Sequence, residues 1–128
     1  MMSNDASVLI VDDEAEIAEF VADVFEMNGI TATYISDPDL LERHLGVHTK
    51  LIVLDLLMPK ANGIQLLARI AERANSPSVL LMSGETSNVI EQARLRAIDL
   101  DITVAGTLNK PFFADDLEAL IKTLDLRS

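Results

Sequence analysis

Short, mostly apolar runs in this chain end in polar or charged side chains at four places. A short apolar run bounded in this way is typical of a strand that is buried on both faces of a parallel sheet. Because the carboxyl ends of parallel strands meet along one edge, we expect functional groups to gather there. The runs, each with the side chains that end it, are Val8–Val11 with Asp12 and Asp13, Leu51–Leu54 with Asp55, Val79–Met82 with Ser83, and Val104–Asn109 with Lys110.

Helical patterns alternate with these runs, which favours repeated βα units. Apolar residues recur at helical spacing, and a segment rich in β-branched and aromatic residues predicts one further strand, Thr31–Ile35. The first two predicted helices are Ala15–Asn28, with Ile17, Phe20, Val21, Val24 and Phe25 on one face and Gly29 as its stop, and a short helix from Asp37 to near Gly46. The third predicted helix starts at Asn62 and has Ile64, Leu67, Ala68 and Ala71 on its inner face. The fourth starts at Ser87 and reaches about Ile98. The fifth runs from about Ala114 to Leu124 and buries Leu117, Leu120, Ile121 and Leu124.

Five βα units in 128 residues predict an α/β fold, a flavodoxin-like doubly wound (βα)5 sandwich. Its parallel five-stranded sheet has the expected strand order 2-1-3-4-5, with helices on both faces. In that order strands 1 and 3 are neighbours at the topological switch point, so Asp12, Asp13 and Asp55 are expected to converge in one crevice. We predict a single domain over residues 7–126.

The formal net charge of −11 limits the partners of this chain. An acidic surface repels the phosphates of nucleic acids and anionic membranes, so we expect neither as a partner and favour a basic protein surface. The chain has no cysteine, which excludes disulfides and thiol catalysis. It shows no signal-peptide pattern and no apolar run long enough to span a membrane, which predicts a cytoplasmic protein.

Three carboxylates in one crevice repel one another, and a hard divalent cation relieves that repulsion. Mg²⁺ prefers oxygen ligands and keeps several waters, so its remaining coordination positions can hold phosphoryl oxygens. Lys110 adds a positive charge, and the Ser83 hydroxyl can donate a hydrogen bond to a phosphoryl oxygen. This combination of positioning and charge neutralisation is what phosphoryl transfer requires.

Four motifs, in this order along the chain, resemble the response-regulator receiver domains of two-component signalling, including chemotaxis-regulator-like receivers. The matching segments are Val11-Asp12-Asp13-Glu14, Asp55-Leu56-Leu57-Met58-Pro59 with Gly63, Met82-Ser83-Gly84, and Lys110-Pro111-Phe112.

The resemblance implies a phosphorylation-controlled switch and not a turnover enzyme: the domain would catalyse only its own phosphorylation and dephosphorylation. Asp55 would accept the phosphoryl group from a histidine kinase or a phosphotransfer protein. Asp12 and Asp13 would hold Mg²⁺, with Asp13 the more direct ligand, beside Asp55 and the backbone carbonyl of Leu57.

The resemblance also implies how the phosphoryl group is bound and which partners respond to it. Ser83 and Lys110 would contact phosphoryl oxygens, and the Lys110–Pro111 peptide bond would be cis. A downstream protein or output domain would read the state, and a dimer could form through the face made by helix 4, strand 5 and helix 5.

Departures from the family pattern lie at the positions that tune switching. Thr107 stands where the family often has a tyrosine or phenylalanine that moves on activation. Gly84 follows the switch hydroxyl, where alanine is common. Leu57 and Glu85 occupy the two positions that flank the path of the hydrolytic water.

Three other functions compete with the switch. A Mg²⁺-dependent aspartyl phosphatase needs a second acid two residues after its nucleophile, and Leu57 at that position cannot transfer a proton. A degenerate receiver that binds a partner without phosphorylation is the main alternative, opposed by the intact acids, Ser83 and Lys110. Nucleotide binding lacks a glycine-rich phosphate loop.

Overall fold

A parallel sheet of five strands forms the centre of the computed structural model, which describes residues 6–59, 62–73, 76–84 and 87–124. The strand order is β2-β1-β3-β4-β5, so the predicted fold class and topology are confirmed. Strands β1 and β3 are buried along their whole length, as their unbroken apolar runs predict. The strands are β1 (Val8–Val11), β2 (Ala32–Ile35), β3 (Leu51–Asp55), β4 (Ser78–Ser83) and β5 (Val104–Asn109).

Helices cover both faces of the sheet and divide the core into two apolar clusters. The helices are α1 (Ala15–Met27), α2 (Leu41–His44), α3 (Gly63–Ala71), α4 (Ser87–Asp99) and α5 (Ala114–Ile121). Helices α1 and α5 pack on the face that carries Val8 and Ile10. Helices α2, α3 and α4 pack on the opposite face, which carries Leu9 and Val11. Among the described residues, no helix is long and apolar enough to cross a membrane.

Helix boundaries were predicted less well than helix positions. The second helix is short and ends at His44, near Gly46 as predicted, but a 3-10 turn over Pro38–Leu40 precedes its four α-helical residues. Asp37 does cap it, because its side chain accepts a hydrogen bond from the N–H of Asp39. Helix α5 ends at Ile121, earlier than the predicted Leu124. The predicted domain end at residue 126 lies outside the described residues.

The predicted inward faces of three helices were also partly wrong. In α3 the buried side chains are Leu66, Leu67 and Ile70, whereas Ala68 and Ala71 are only partly covered. In α1 Phe20 is 40% exposed, and its ring lies against the ring of Phe112, with 6.1 Å between centroids. In α5 Leu117 and Ile121 are buried while Leu120 and Leu124 are half-buried. The phase of each helix is therefore set by how it docks on the sheet as well as by its own pattern.

Gly63 starts α3 where the chain passes close to the end of β3. A Cβ atom at this position would lie 2.6 Å from the Leu56 Cα and 2.7 Å from the Asp55 carbonyl oxygen. Both atoms belong to the backbone, so no side-chain movement can relieve the contact. Gly63 therefore allows α3 to begin directly against the segment that carries Asp55.

Gly63→Ala should lower the free energy of unfolding by about 2 kcal/mol or more, because the added methyl group displaces backbone. Alanine is otherwise favoured over glycine in a helix by about 1 kcal/mol, so a stabilised variant would contradict the close approach. Chemical denaturation measures the change. Gly84→Ala is the matched control: among the described residues its Cβ would meet only the Lys110 Cβ, at 3.7 Å, and we expect a change within about 0.5 kcal/mol.

Candidate functional site

The register of the sheet brings the predicted side chains together at one edge. Val11 pairs with Leu54 in the β1–β3 ladder, which places Asp12 beside Asp55. Ser83 pairs with Asn109 in the β4–β5 ladder, and the Lys110 N–H donates to the Ser83 carbonyl oxygen at 2.9 Å. The residues that end four strands therefore lie around one crevice, as predicted.

Asp12, Asp13 and Asp55 form a compact acidic cluster. Each offers one carboxylate oxygen, and these oxygens all lie within 4.8 Å of one another. Asp12 and Asp55 are buried, whereas Asp13 is partly exposed toward solvent. Three convergent carboxylate oxygens, one of them accessible, fit a hard divalent cation such as Mg²⁺, which binds through few carboxylates and keeps waters.

Short turns after β1 and β3 fix the two buried carboxylates. The Glu14 N–H donates to the Asp12 Oδ1 at 2.9 Å, and the Leu57 N–H donates to the Asp55 Oδ1 at 3.2 Å. In both turns the aspartate accepts from the N–H two residues further on, a local bond that aspartate forms readily. The remaining oxygen of each carboxylate is thereby directed to the other groups of the site.

Lys110 is the cation of this site among the described residues. Its Nζ lies 2.9 Å from the Asp12 Oδ2, 3.3 Å from the Asp55 Oδ2 and 3.3 Å from the Glu14 Oε1. The peptide bond between Lys110 and Pro111 is cis, as predicted. Lysine is a compact charge with three donors, so a single ammonium group can serve three carboxylates.

The lysine compensates the buried acids only in part. Burial raises the pKa of Asp55 to about 6, and the charge of Asp12 acts in the same direction. The Leu57 N–H and the charge of Lys110 oppose this rise without cancelling it. Burial lowers the pKa of Lys110, but its hydrogen bond to Asp12 and the charges of Asp12 and Asp55 outweigh burial and raise it. The pocket therefore favours additional positive charge.

The remaining predicted residues surround this centre. Ser83 is fully buried at the end of β4, and Gly84 follows it beside Lys110. The Leu57 side chain is 42% exposed at the mouth of the crevice. Thr107 is half-buried in β5, in register with Leu81 of β4. Glu85 lies outside the described residues, and the role predicted for the Leu57 carbonyl stays a prediction.

Glu14 is a site residue to which no role was assigned from the sequence. It appears in the first motif only as a neighbour of the aspartates, yet its carboxylate contacts Lys110, 96 positions along the chain. The available signal was its place directly after a strand-end acid pair, at the edge where Lys110 was expected. That signal gives proximity but no direction for the side chain.

The sequence matches the family Response regulator receiver domain over residues 8–122. The chain belongs to this family.

Individual relatives agree with the assignment to the receiver family. A homolog of transcriptional regulatory protein CpxR from Haemophilus influenzae is 31% identical over 124 residues, covering 96% of this chain and 52% of that protein. Transcriptional regulatory protein CpxR of Escherichia coli K12 is 28% identical over 121 residues, covering 94% of this chain and 50% of that protein. The receiver domain thus spans about half the length of these curated relatives.

Solved structures show the same fold. A response regulator from Colwellia psychrerythraea superposes with a TM-score of 0.76 at 26% identity, covering 90% of this chain and 93% of that one. The receiver domain of NtrX from Brucella abortus superposes with a TM-score of 0.72 at 24% identity, covering 90% of this chain and 94% of that one. The chain is therefore a receiver domain of two-component response regulators in both sequence and fold.

The raised pKa of Asp55 predicts how the stability of the metal-free receiver depends on pH. An acid whose pKa is raised on folding stabilises the protein below its unfolded pKa, about 4, and this contribution is lost as the pH rises through about 6. Asp55→Asn remains neutral and avoids the loss. In EDTA at pH 7 the variant should be more stable than wild type by on the order of 2 kcal/mol, and the difference should shrink toward pH 4.

Urea denaturation at a series of pH values measures this difference. Asp23→Asn is the matched control, since it removes an exposed acid on α1 outside the cluster and should retain the wild-type dependence on pH. A constant stability difference between Asp55→Asn and wild type across this range would show that Asp55 is not held in an unfavourable charged state.

Proposed function

We propose that this receiver domain is a phosphorylation-controlled signalling switch with Asp55 as its phosphoacceptor. The observation that carries the proposal is the position of the Asp55 carboxylate, which belongs to an acidic cluster suited to a cation and also lies 3.3 Å from the ammonium group of Lys110. A nucleophilic carboxylate with positive charge on two sides is arranged for attack on a phosphorus atom. The phosphorylation-independent alternative gives no reason for this arrangement.

In the proposed reaction a carboxylate oxygen of Asp55 forms a bond to phosphorus while the bond from phosphorus to the donor breaks. The donor is a phosphohistidine of a histidine kinase or phosphotransfer protein, and its imidazole leaves. Asp12, Asp13 and Asp55, with the Leu57 carbonyl, would hold Mg²⁺, which supplies charge neutralisation on the phosphoryl oxygens when bound. Lys110 and Ser83 then bind the transferred phosphoryl group through their ammonium and hydroxyl groups.

The proposed activity is self-directed and is not turnover of a separate substrate. A phosphatase of the aspartyl type needs a proton donor two residues after the nucleophile. The side chain there is the hydrocarbon of Leu57, half-exposed beside the crevice. The domain would therefore catalyse its own phosphorylation and slow hydrolysis, and the state would be read by a partner.

The partners follow from the same proposal. A kinase or phosphotransfer protein supplies the phosphoryl group, and a downstream protein or output domain reads it in the cytoplasm. The curated relatives are named transcriptional regulatory proteins, and this chain spans about half of their length. With a net charge of −11, the receiver itself would not contact nucleic acid or an anionic membrane. A dimer through α4, β5 and α5 would be one form of readout.

The proposed switch acts through backbone contacts. Thr107 is too small to act as a moving aromatic wedge, so coupling falls to the loops after β4 and β5. These loops are joined by the hydrogen bond from the Lys110 N–H to the Ser83 carbonyl oxygen. Phosphorylation would draw Ser83 and Lys110 toward Asp55, and Gly84 lets the first of these loops adjust.

Incubation with acetyl phosphate and Mg²⁺ should add one phosphoryl group to the wild-type protein, and Asp55→Asn should abolish the addition. Intact-protein mass spectrometry counts the groups. Asp13→Ala, or removal of Mg²⁺ with EDTA, should suppress the reaction at least about ten-fold, because charge neutralisation is lost. Asp23→Asn controls for loss of an acid outside the crevice and should be phosphorylated as wild type. Undiminished phosphorylation of Asp55→Asn would refute the assignment.

The lifetime of the phosphorylated state should depend on Leu57. Hydrolysis requires a water in line with the departing carboxylate oxygen, and the Leu57 side chain can neither orient that water nor accept its proton. Leu57→Asn should shorten the half-life several-fold, by about three- to ten-fold if one water-orienting hydrogen bond is gained. Decay of the phosphorylated protein at fixed Mg²⁺ gives the rate.

The matched control for that experiment is Leu57→Met, which keeps an apolar side chain of similar volume. It should decay at the wild-type rate. Equal rates for Leu57→Asn and wild type would show that another group controls hydrolysis.

A further inference from the structure

Glu14 is the N-cap residue of α1, but its side chain does not cap the helix. It makes no hydrogen bond to a helical N–H, and its Oε1 instead lies 3.3 Å from the Lys110 Nζ. Glutamate is also not among the residues preferred at this position, which are asparagine, aspartate, serine and threonine. Local helix formation therefore does not account for where this carboxylate lies.

The three described acids that contact Lys110 differ in their exposure to solvent and in whether they belong to the acidic cluster. The side chains of Asp12 and Asp55 are 0% and 3% exposed, and both belong to the acidic cluster. The side chain of Glu14 is 61% exposed and lies outside that cluster. Of the described partners of Lys110, only Glu14 would remain uncommitted with a cation bound.

Lys110 and an entering cation compete for the same carboxylates, those of Asp12 and Asp55. The Asp12 Oδ2 lies 2.9 Å from the Lys110 Nζ and the Asp55 Oδ2 lies 3.3 Å from it. Two positive groups cannot both make close contact with these carboxylates without strong mutual repulsion. Cation binding must therefore weaken the contacts of Lys110 with Asp12 and Asp55.

We infer that Glu14 is a positioning residue that takes over Lys110 when a divalent cation binds Asp12, Asp13 and Asp55. Lys110 already contacts Asp12 and Glu14 at the same time, so the transfer needs only a short movement of its ammonium group. Lys110 then stays at the rim of the crevice, next to the place where a phosphoryl group on Asp55 would need it. The inference rests on the metal site of the proposed function.

The consequence is a specific energetic coupling between Glu14 and Lys110. Without Glu14 the displaced lysine has no described carboxylate partner outside the cluster, so cation binding costs more. Only the part of the Glu14–Lys110 attraction that is gained when Lys110 leaves Asp12 and Asp55 contributes to this coupling. A pair of this exposure is worth up to about 1 kcal/mol in all, so the coupling corresponds to at most about five-fold in a dissociation constant. A carboxylate that merely attracts the cation through space would act whether or not Lys110 is present.

Mg²⁺ titrations followed by backbone amide NMR shifts separate these explanations. Glu14→Gln should weaken Mg²⁺ binding about three- to five-fold, whereas Glu16→Gln should change it less than about two-fold. Glu16 is the matched control, because it is an exposed acid in the first turn of α1 without a described contact to Lys110. Thermal unfolding without Mg²⁺ checks that each variant is folded.

The deciding measurement repeats the substitutions in a Lys110→Met background. Lys110→Met alone should bind Mg²⁺ more tightly, since the competing cation is gone. In that background Glu14→Gln should lose most of its effect, which is the signature of an interaction energy between the two residues. Equal effects of Glu14→Gln in both backgrounds would show that Glu14 acts on the cation itself and would overturn the inference, as would wild-type affinity in Glu14→Gln.

The Mg²⁺ titration of the wild-type protein also tests the proposed function. If the wild-type protein shows no Mg²⁺-dependent shifts at Asp12, Asp13 and Asp55, the metal site of the proposed function fails together with this inference. If wild type binds Mg²⁺ and only the coupling is missing, the proposed function stands and the role of Glu14 is refuted.

Discussion

Repulsion between buried carboxylates at the ends of β1 and β3 is the constraint on which the site depends. Asp12 and Asp55 are both withdrawn from solvent, and Asp13 brings a third acid to the same crevice. Water would screen these charges, but the close packing of the strands excludes it. Lys110 supplies part of the compensation, and the raised pKa of Asp55 shows that the remainder is unmet. The apolar sheet therefore creates the demand for positive charge at this site.

Much of the fold can be predicted from the sequence, because strands that are buried on both faces have unbroken apolar runs. The apolar runs of β1 and β3 specify central strands, and their neighbours then take the order of a doubly wound sheet. Helix details follow less well, since each is a compromise with packing. Phe20 fits the apolar face of α1, yet it lies at the surface against Phe112. The short α2 is held by contacts from α3, where Arg69 donates to Glu42 and to the Pro38 carbonyl oxygen. No local sequence pattern predicts contacts between residues so far apart in the chain.

The site, like the fold, has a part that can be predicted from the sequence and a part that cannot. Asp12, Asp55, Ser83 and Lys110 are predictable because each ends a strand, and the topology alone carries strand ends to one edge. The contact of Glu14 with Lys110 is not predictable, because it depends on the rotamers of two long side chains that are 96 positions apart. Sequence patterns place backbone, and from there proximity can be inferred. The direction of a side chain is decided by charge and space at the assembled site.

Lys110 has two roles in the proposed mechanism. Without added charge it holds the acids together, with its closest contact to Asp12 at 2.9 Å. In the proposed reaction it must leave that contact and bind a phosphoryl group on Asp55. Its backbone meanwhile stays tied to Ser83 through the 2.9 Å bond between β5 and β4. A shift of the Lys110 backbone that follows its ammonium group would therefore reach the ends of both strands. In the proposed switch, with Thr107 in place of a mobile ring, this pairing of one charged side chain with one backbone bond would be the most direct route by which chemistry at Asp55 could reach the surface of α4 and α5.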